Sequence, residues 1–398
     1  MKINKSRIEK DFNNISKFGE LSNGGVTRLA FSKEDMDARN YLKDVMEELG
    51  LRVSIDAFGN MSGRREGKMD IAPVAIGSHL DTVPEGGNYD GIVGVIAALE
   101  VIRVLNENNI ETLRPIEVVN LSAEESSRFG GATLGSKVIS GKISLKDLSK
   151  YVDKEGTSLY KALEDNGYKP DEIEGAVLNK GDVYSFIEMH IEQGPVLETE
   201  NIPVGIVTSI AAPTRFRVKF KGVADHSGNT PMNIRKDALT AASELILGVE
   251  RIAKYEAGPA TVGTVGYVYV KPGAMNVIPG AVEMGIDVRD INSDDKKVAV
   301  GKVIQLIEAI KSNRPVEVEY EILTDDEPVK LSSKVIDTLV DTAEEIGLDY
   351  KVMHSGAGHD AMHMADIAQA GMIFVPSKNG ISHNIEEFTD MDDIVKGT

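Results

Sequence analysis

Val74–Gly94 reads VAIGSHLDTVPEGGNYDGIVG, and the interpretation of the whole chain starts from this stretch. Its first four residues form a short apolar run, which is typical of a buried strand. The run delivers His79 and Asp81 at the expected strand end, and a loop rich in Pro and Gly then leads to Asp90. The apolar residues Gly91–Leu99 follow, so we expect a buried helix with Asp90 as its N-cap.

Two interpretations of this stretch are open at this point. A neutral imidazole and a carboxylate at the carboxyl end of a sheet strand are good ligands for a divalent ion. Asp81 would then accept a hydrogen bond from the far ring nitrogen of His79 and fix the tautomer of that ring. In the alternative, Asp81 and Asp90 only cap a turn and a helix.

Composition excludes several classes of protein. A length of 398 residues favours two domains. The 44 basic and 63 acidic residues give a formal charge of −19, which argues against nucleic acid or an anionic membrane as a partner. The chain has no cysteine, so any metal must be held by His, Asp or Glu. We find neither an export signal nor the run of about 18 apolar residues that a membrane helix needs, and we expect a cytoplasmic protein.

Strands alternate with helices at both ends of the chain, which predicts an α/β fold with a mostly parallel sheet. We expect Ser32 to open the second of two helices within residues 5–50, with Asp35 three residues on. The other elements that we expect in the first part are a strand over 51–55, a turn over 63–70, strands over 74–77 and 115–121, a polar helical insertion over 136–182, and strands over 184–191 and 204–210.

The pattern changes near residue 211 and returns near residue 328. In between, the order β-α-β-β-α-β is the split βαβ arrangement of ferredoxin-like domains. We therefore predict a catalytic metal-binding domain made of residues 1–211 and 328–398, with an inserted ferredoxin-like α+β lid and dimerisation domain at 212–327. The elements that we expect from residue 211 onward are a strand over 216–220, a helix over 233–255, strands over 260–270 and 281–289, a helix over 293–313, a strand over 316–323, a helix over 332–348 and a strand over 371–375.

Residues of the types that bind metal ions occur in four places along the chain, each at or after the end of a predicted strand. Open α/β sheets place their sites at the carboxyl ends of strands, so we expect these groups to lie together. Adjacent acidic residues are costly to bring together unless a cation or a shared proton compensates, and a two-metal site provides such cations. In the alternative, the acidic pair only caps a helix with Ser122. The groups are His79 with Asp81 and Asp90, Glu124 with Glu125, His190, and His383.

The order of short motifs along the chain resembles the hydantoinase/carbamoylase-type amidohydrolases, a group within the dinuclear metal aminoacylases and aminopeptidases. The resemblance extends from about residue 20 to residue 390. The segment I-E-Q-G-P resembles the carbamoyl-amide hydrolases in particular. The motifs are G-S-H-x-D-T-V-P…D-G, S-A-E-E, E-M-H-I-E-Q-G-P, G-x-x-x-H-S-G-x-T-P-M, S-G-A-G-H-D-A and a late S-H-N.

This resemblance implies two metal ions per chain that share one bridging carboxylate. One ion would be held by His79, Asp90 and His190. The other would be held by Asp90, Glu125 and His383. Zn²⁺ or Mn²⁺ is expected, and Co²⁺ or Ni²⁺ is compatible with such ligands.

The resemblance also implies roles for residues that do not bind metal. Glu124 would be the general base, and Asp81 would support His79. His226 can donate a hydrogen bond to the oxyanion of a tetrahedral intermediate, although an exposed loop histidine is the alternative. Arg289 can bind an α-carboxylate through two parallel hydrogen bonds. The residues implied to contact substrate are Gln193, His226, Asn276, Arg289 and Gly358.

One further histidine pair has the i, i+4 spacing of helical zinc sites, His359 and His363. It lacks the Glu that directly follows the first His in the zinc protease motif. The resemblance implies instead that residues 356–361 form a turn near the substrate, in which His359 and Asp360 make supporting hydrogen bonds. We expect His354 and His363 to be ordinary histidines, partly buried or at the surface.

Together these features predict an enzyme that hydrolyses an N-carbamoyl-L-amino acid to the L-amino acid, carbon dioxide and ammonia. Allantoate or β-ureidopropionate hydrolysis is the near alternative, and peptidase or N-acylase activity is more distant. A catalytically silent binding protein is a further alternative, against which the intact Glu124 argues. The expected partner is a small ureido-carboxylate, and the resemblance implies a homodimer joined through the inserted domain, with hinges near residues 211 and 328.

Overall fold

The computed structural model describes residues 2–398 and divides them into two compact units. The first unit comprises residues 2–208, 331–354 and 358–398. The second comprises residues 209–330 and 355–357. From the sequence we predicted domain borders at 211/212 and 327/328. That prediction did not separate the short segment 355–357 from the first unit.

The first unit is an α/β structure in which short apolar runs become strands. Its four central strands are parallel, and antiparallel strands flank them on both sides. The last two residues of β6 and the last residue of β14 belong to the second unit. Its strands are β1 (Arg52–Ile55), β2 (Met61–Arg65), β3 (Val74–His79), β4 (Ile116–Leu121), β5 (Ser185–Ile191), β6 (Val204–Ile210), β14 (Tyr350–Ser355) and β15 (Gln369–Val375).

The strand order explains where the site forms. The central strands run β4-β3-β5-β15, with β2 and β1 beyond β4, and β6 beyond β15. Because these four strands are parallel, their carboxyl ends lie at the same edge of the sheet. The mostly parallel sheet is thus confirmed, with antiparallel strands at both margins.

Ten α-helices accompany this sheet in the described part of the first unit. Ser32 caps the second of them by accepting from the backbone N–H of Asp35, as predicted. Eleven of the sixteen residues of the third are buried, because it packs in the core. The helices are α1 (Lys5–Ile15), α2 (Lys33–Glu48), α3 (Ile92–Glu107), α4 (Leu134–Ile139), α5 (Leu145–Leu148), α6 (Leu159–Asp165), α7 (Val196–Glu200), α10 (Ser333–Ile346), α11 (Ala361–Met364) and α12 (Met391–Gly397).

Three local predictions for the first unit are wrong. The segment expected as a turn over 63–70 begins inside β2, a five-residue strand that contains one Gly and two Arg. β14 was not predicted at all. Residues 136–182 are helical in part, but they are not merely a polar insertion, because Val138, Leu148 and Leu163 pack with Phe31 and other residues into a hydrophobic cluster.

The second unit contains a four-stranded antiparallel sheet in the order β12-β7-β11-β9 and the chain order β-α-β-β-α-β. One sheet face and the two helices share a hydrophobic core. A two-stranded pair, β8 with β10, lies outside this sheet. The elements are β7 (Ala212–Lys221), β8 (Asp225–His226), α8 (Ala238–Arg251), β9 (Val262–Lys271), β10 (Val277–Ile278), β11 (Ala281–Asp290), α9 (Ser293–Asn313), β12 (Glu317–Asp325) and β13 (Val329–Lys330).

No helix within residues 2–398 has both the length and the apolar character that crossing a membrane requires.

Candidate metal centre

The carboxyl ends of the four parallel strands bring together the side chains that can bind a metal. All of them belong to the first unit, and all except His383 are buried. They are His79 at the end of β3 and Asp90 in the loop after it, Glu124 and Glu125 after β4, His190 near the end of β5, and His383 after β15.

Asp90 lies between two groups of ligand atoms, and within each group all atoms are within 4.8 Å of one another. Its Oδ1 lies 3.1 Å from His190 Nε2 and 3.5 Å from His79 Nε2. Its Oδ2 lies 3.3 Å from His383 Nε2, which is also 3.3 Å from Glu125 Oε1. Each carboxylate oxygen therefore faces a different group, which is the arrangement of a bridging ligand.

These distances fit coordination of a metal ion. Ligand atoms about 2.0–2.2 Å from a tetrahedral zinc ion lie about 3.3–3.6 Å apart. The separations of 3.1–3.5 Å around Asp90 are close to this range. The first group is His79, Asp90 and His190, and the second is Asp90, Glu125 and His383.

The backbone fixes the tautomer of the two buried histidines. His79 Nδ1 donates to the carbonyl oxygen of Asp81 at 3.0 Å, and His190 Nδ1 donates to that of Ile191 at 2.9 Å. In the neutral form of each ring, which is the form that binds a metal, Nε2 therefore carries the lone pair. His79 Nε2 is buried and has no hydrogen-bond partner, which is what a ligand nitrogen shows before a metal occupies its lone pair.

Asp81 supports His79 through a different atom from the one predicted. Its carboxylate is 3.8 Å from His79 Nδ1 and instead accepts the backbone N–H groups of Glu124 at 3.2 Å and Glu125 at 3.0 Å. Asp81 thus joins two loops: its carbonyl orients His79, and its side chain orients the acidic pair. Burial is the main cause that raises the pKa of Asp81 to about 6.

Asp90 is not the helix N-cap that the sequence predicted. The N-cap is Gly91, and its φ of 70° lies in the left-handed region that favours glycine. A Cβ on Gly91 would lie 2.3 Å from His79 Nε2. Only glycine therefore fits next to this ligand nitrogen, and the Asp90 carboxylate points at the histidines rather than at the helix.

Glu124 lies beside the ligands and is buried. Its Oε2 is 3.8 Å from His79 Nε2. Burial, together with the negative charge of Glu125, raises the pKa of Glu124 well above its usual range, although His79 acts in the opposite direction. A carboxylate with a raised pKa is suited to accept a proton and return it.

The electrostatics of the cluster favour a cation. Burial opposes ionisation of Asp90, but the rings of His190, His383 and His79 together hold its pKa well below its usual range. Hydrogen bonds to Asp90 and then to Glu125 raise the pKa of His383 to about 11. The carboxylates therefore stabilise positive charge at the position that the second group of ligand atoms surrounds.

A third cluster, Glu188, His190 and His359, also brings possible ligand atoms together, but its hydrogen bonds argue against a metal. Both oxygens of Glu188 are occupied, one by the hydroxyl of Ser78 at 2.7 Å and the other by the backbone N–H of Ala361 at 2.9 Å. The lone pair of His190 is on the nitrogen that faces Asp90. His359 instead packs edge-on against the His190 ring, with 4.6 Å between ring centroids.

Three non-glycine residues of the site have positive φ. They are Ala123 at 54°, Gln193 at 56° and His383 at 54°. Such conformations cost of order 1 kcal/mol or more and persist where the surroundings hold them. Gln193 Nε2 donates to Asp90 Oδ2 at 2.6 Å, which places this predicted substrate residue directly beside the Asp90 carboxylate.

Three of the remaining predicted substrate residues belong to the second unit. His226 in β8 and Asn276 just before β10 are exposed neighbours, joined by a bond from the backbone N–H of Ser227 to the carbonyl of Asn276. The ring of His226 accepts at Nδ1 from the backbone N–H groups of Gly228 at 3.0 Å and Asn229 at 3.1 Å. In the neutral ring the hydrogen is therefore on Nε2, which makes His226 a hydrogen-bond donor at its outer edge.

Arg289, in β11, already has partners. Its Nε and one terminal nitrogen donate to the two carboxylate oxygens of Asp287 at 2.8 and 3.1 Å. Its other terminal nitrogen donates to the carbonyl of Gly356 at 3.0 Å. These bonds use three of the five guanidinium N–H groups, and one N–H remains on each terminal nitrogen. Gly358, in the first unit, is exposed.

The sequence did not single out Glu387 or Ser382 as part of the site. Ser382 Oγ lies 3.0 Å from Asp90 Oδ2, and Glu387 accepts hydrogen bonds from residues on two of the loops that carry ligands. Burial is the main cause that raises the pKa of Glu387 to about 7. The only sequence feature that could have indicated Glu387 is its position, four residues after His383, in a loop that is predicted to carry a metal ligand.

Comparison with known proteins agrees with this geometry. The sequence profile of peptidase family M20/M25/M40 matches residues 75–398. The N-carbamoyl-L-amino-acid amidohydrolase of Pseudomonas sp. (strain NS671) is 40% identical over 399 residues, covering 100% of this chain and 96% of that protein. The allantoate amidohydrolase of Escherichia coli (strain K12) is 36% identical over 392 residues, covering 98% of this chain and 94% of that protein.

One solved structure has the same fold as this chain over the whole length of this chain. The crystal structure of an amidase of the hydantoinase/carbamoylase family from Burkholderia multivorans matches with a TM-score of 0.93 and 35% identity. The match covers 100% of this chain and 95% of that one. The chain belongs to peptidase family M20/M25/M40, within which its similarity is to the hydantoinase/carbamoylase-type amidohydrolases.

Proposed function

We propose that this protein uses two divalent metal ions to hydrolyse the carbamoyl amide bond of N-carbamoyl-L-amino acids. Membership of the M20/M25/M40 family and the amidohydrolase names of its relatives identify a hydrolase of linear amide C–N bonds. The observation that carries the finer proposal is Asp90, whose two carboxylate oxygens each face a separate group of ligand atoms. Zn²⁺ or Mn²⁺ is proposed, with Co²⁺ and Ni²⁺ as compatible ions.

His79, Asp90 and His190 would hold one ion, and Asp90, Glu125 and His383 the other. When bound, such ions would supply Lewis acidity, which lowers the pKa of a water molecule and polarises a carbonyl oxygen. Glu124 takes the proton from the attacking water and returns it to the leaving nitrogen. Its burial and raised pKa support this role, because the protonated form is then stable enough to act as the acid.

In this proposal, polar residues of the second unit bind the substrate. His226 donates from Nε2 to the oxyanion, which agrees with the tautomer set by Gly228 and Asn229. Arg289 binds the substrate carboxylate with the N–H groups that Asp287 and Gly356 leave available. Asn276, together with Gln193 and Gly358 of the first unit, completes the proposed set of substrate contacts.

Hydrolysis of allantoate is the second candidate. Allantoate also combines a carboxylate with ureido groups, so the same Arg289 and metal ions would suit it, and a relative of this chain bears that activity in its name. β-Ureidopropionate, with its longer path from carboxylate to ureido group, is a third ureido acid that shares these features.

A homodimer through the second unit is also proposed. β9 is an edge strand of the four-stranded sheet, and its outer side chains include the exposed Val262 and Tyr269. An edge strand offers unpaired backbone groups to a second chain. A C₂ dimer would satisfy these groups by pairing equivalent strands.

A substrate panel on metal-reconstituted protein tests the proposed function. The panel contains N-carbamoyl-L- and D-amino acids, allantoate, β-ureidopropionate, an N-acetyl-L-amino acid and a dipeptide, with ammonia or amine release as the readout. We expect kcat/KM for the best N-carbamoyl-L-amino acid to exceed that of every other compound by at least about tenfold. Preference for allantoate would select the second candidate, and preference for the dipeptide or acetyl compound would overturn the proposal.

A further inference from the structure

A buried carboxylate that is not among the proposed ligands connects two of the loops that carry them. Glu387 follows His383 by four residues and is 5% exposed. Its Oε1 accepts the backbone N–H groups of Tyr89 at 2.9 Å and Asp90 at 3.1 Å. Its Oε2 accepts the backbone N–H of His383 at 3.3 Å and lies 3.1 Å from the hydroxyl of Ser382.

These hydrogen bonds hold two proposed ligands by their main chains. Asp90 and His383 are almost 300 residues apart in sequence and belong to loops after different strands. His383 has a φ of 54°, an unfavourable conformation for a non-glycine residue that needs support from its surroundings. Glu387 supplies part of that support and sets the separation of the two loops.

The loop that carries Asp90 packs closely against this carboxylate. A Cβ on Gly87 would lie 2.2 Å from Glu387 Oε1 and 2.4 Å from its Cβ. Real Cβ atoms do not approach other atoms so closely, so an alanine here would force Glu387 or the loop to move. The contact between the loops therefore depends on both residues.

We propose that Glu387 is a positioning residue that determines how tightly the ion between Asp90, Glu125 and His383 is bound. This inference rests on the proposed function, because it requires two bound ions. Glu387 orients the main chain of two ligands of that ion. The other ion would share only Asp90 with these hydrogen bonds, because its remaining ligands, His79 and His190, are oriented by the carbonyls of Asp81 and Ile191.

Glu387→Gln is the sharpest substitution, because it preserves shape and removes one acceptor oxygen. The remaining oxygen satisfies the two N–H groups of Tyr89 and Asp90. The new amide group can donate to Ser382 Oγ, but it faces the N–H of His383 with no acceptor. His383, rather than Asp90, is therefore expected to lose its orientation.

The test is a titration with Zn²⁺ in competition with a chromophoric chelator, which yields two dissociation constants for the native protein. In Glu387→Gln, we expect one constant to rise by about 10- to 100-fold, and the other to change less than about twofold. The affected constant should be the one that His383→Ala abolishes. Glu386→Gln, the same change at an exposed neighbouring glutamate, should shift neither constant.

Unchanged constants in Glu387→Gln, or an equal rise of both, would overturn the inference, because a merely structural residue has no preference for one ion. Native protein that binds fewer than two ions would instead contradict the proposed function. The two failures are therefore distinguishable in one titration.

Discussion

The histidines of the first unit and His226 of the second unit show opposite uses of the same side chain. In His79 and His190, Nδ1 donates to a backbone carbonyl, so Nε2 presents a lone pair. In His226, Nδ1 accepts two backbone N–H groups, so Nε2 presents a hydrogen. In their neutral forms, the first two rings thus offer the lone pair that a metal ligand needs, and the third ring offers a hydrogen-bond donor.

The two regions also differ in how completely the fold determines them. The ligands of the first unit lie at the ends of parallel strands, and all except His383 are buried. His226 and Asn276 are exposed on a short two-stranded pair. Under the proposed function, the metal site would be organised before substrate arrives, whereas His226 and Asn276 would obtain their remaining hydrogen-bond partners from the substrate.

The largest effect is expected from Glu124→Gln. This change keeps the shape of the side chain and removes the proton acceptor, so the rate of hydrolysis should fall by about 10²- to 10⁴-fold. Metal content, measured on the same sample, should remain unchanged. The matched variant Glu125→Gln should instead lower metal content. If the two glutamates gave the opposite results, their proposed roles would have to be exchanged.

His226→Ala should have the next largest effect. Removal of a hydrogen-bond donor to an oxyanion lowers kcat by about 10²- to 10³-fold, and the metal content should remain that of the native protein. His190→Ala is the appropriate comparison, because loss of a ligand should lower metal content. Loss of metal from the His226 variant would contradict the division between ligand and donor histidines.

Arg289→Ala should mainly affect substrate binding. Loss of charged hydrogen bonds to the carboxylate should raise KM by about 10- to 100-fold, and the variant should no longer prefer the acid over the neutral amide of the same compound. Arg215→Ala is the control, because Arg215 also pairs with Asp287, at 2.8 Å. A similar rise in KM in both variants would assign the effect to the unpaired Asp287 instead.

His363 should affect stability and not activity. Its Nδ1 accepts from Lys142 Nζ, and burial, followed by the charges of Lys142 and Lys137, lowers the pKa of His363 to about 3, from 6.5. Between these values the unfolded chain binds more protons at this position, so the folded protein loses stability as the pH falls.

His363→Gln removes this contribution. Between pH 6 and pH 4, the free energy of unfolding of the metal-free variant should fall by about 1 kcal/mol less per pH unit than that of the native protein. His354→Gln, at an exposed histidine, should follow the native slope. Equal slopes for the native protein and the His363 variant would contradict a buried neutral ring.

The sequence predicted those parts of the site that short, local sequence patterns encode. Apolar runs located β3, β4, β5 and β15, and the motifs after them identified the residues that the structure gathers around Asp90. The order of the four main strands and two helices of the second unit was also predicted. Apolar and polar residues alternate along such strands, and the helices bury one face, so both leave a pattern in the sequence.

The parts that were missed depend on contacts between distant segments. The acceptor role of the Asp81 carboxylate depends on where the main chain of Glu124 and Glu125 passes, which no local pattern encodes. The N-cap at Gly91 follows from the close approach of His79. The role of Glu387 was not predicted, because its hydrogen-bond partners on the loop of Asp90 are backbone N–H groups, which leave no signature in the sequence.

The number of metal ions per chain tests the central claim most directly. The native protein is stripped with a chelator, reconstituted with excess Zn²⁺ or Mn²⁺, freed of unbound metal and analysed for metal and protein on one sample. We expect two ions per chain, and ureido hydrolysis that is lost on stripping and restored on reconstitution. One ion per chain at full activity, or full activity of the stripped protein, would contradict the bridging role of Asp90.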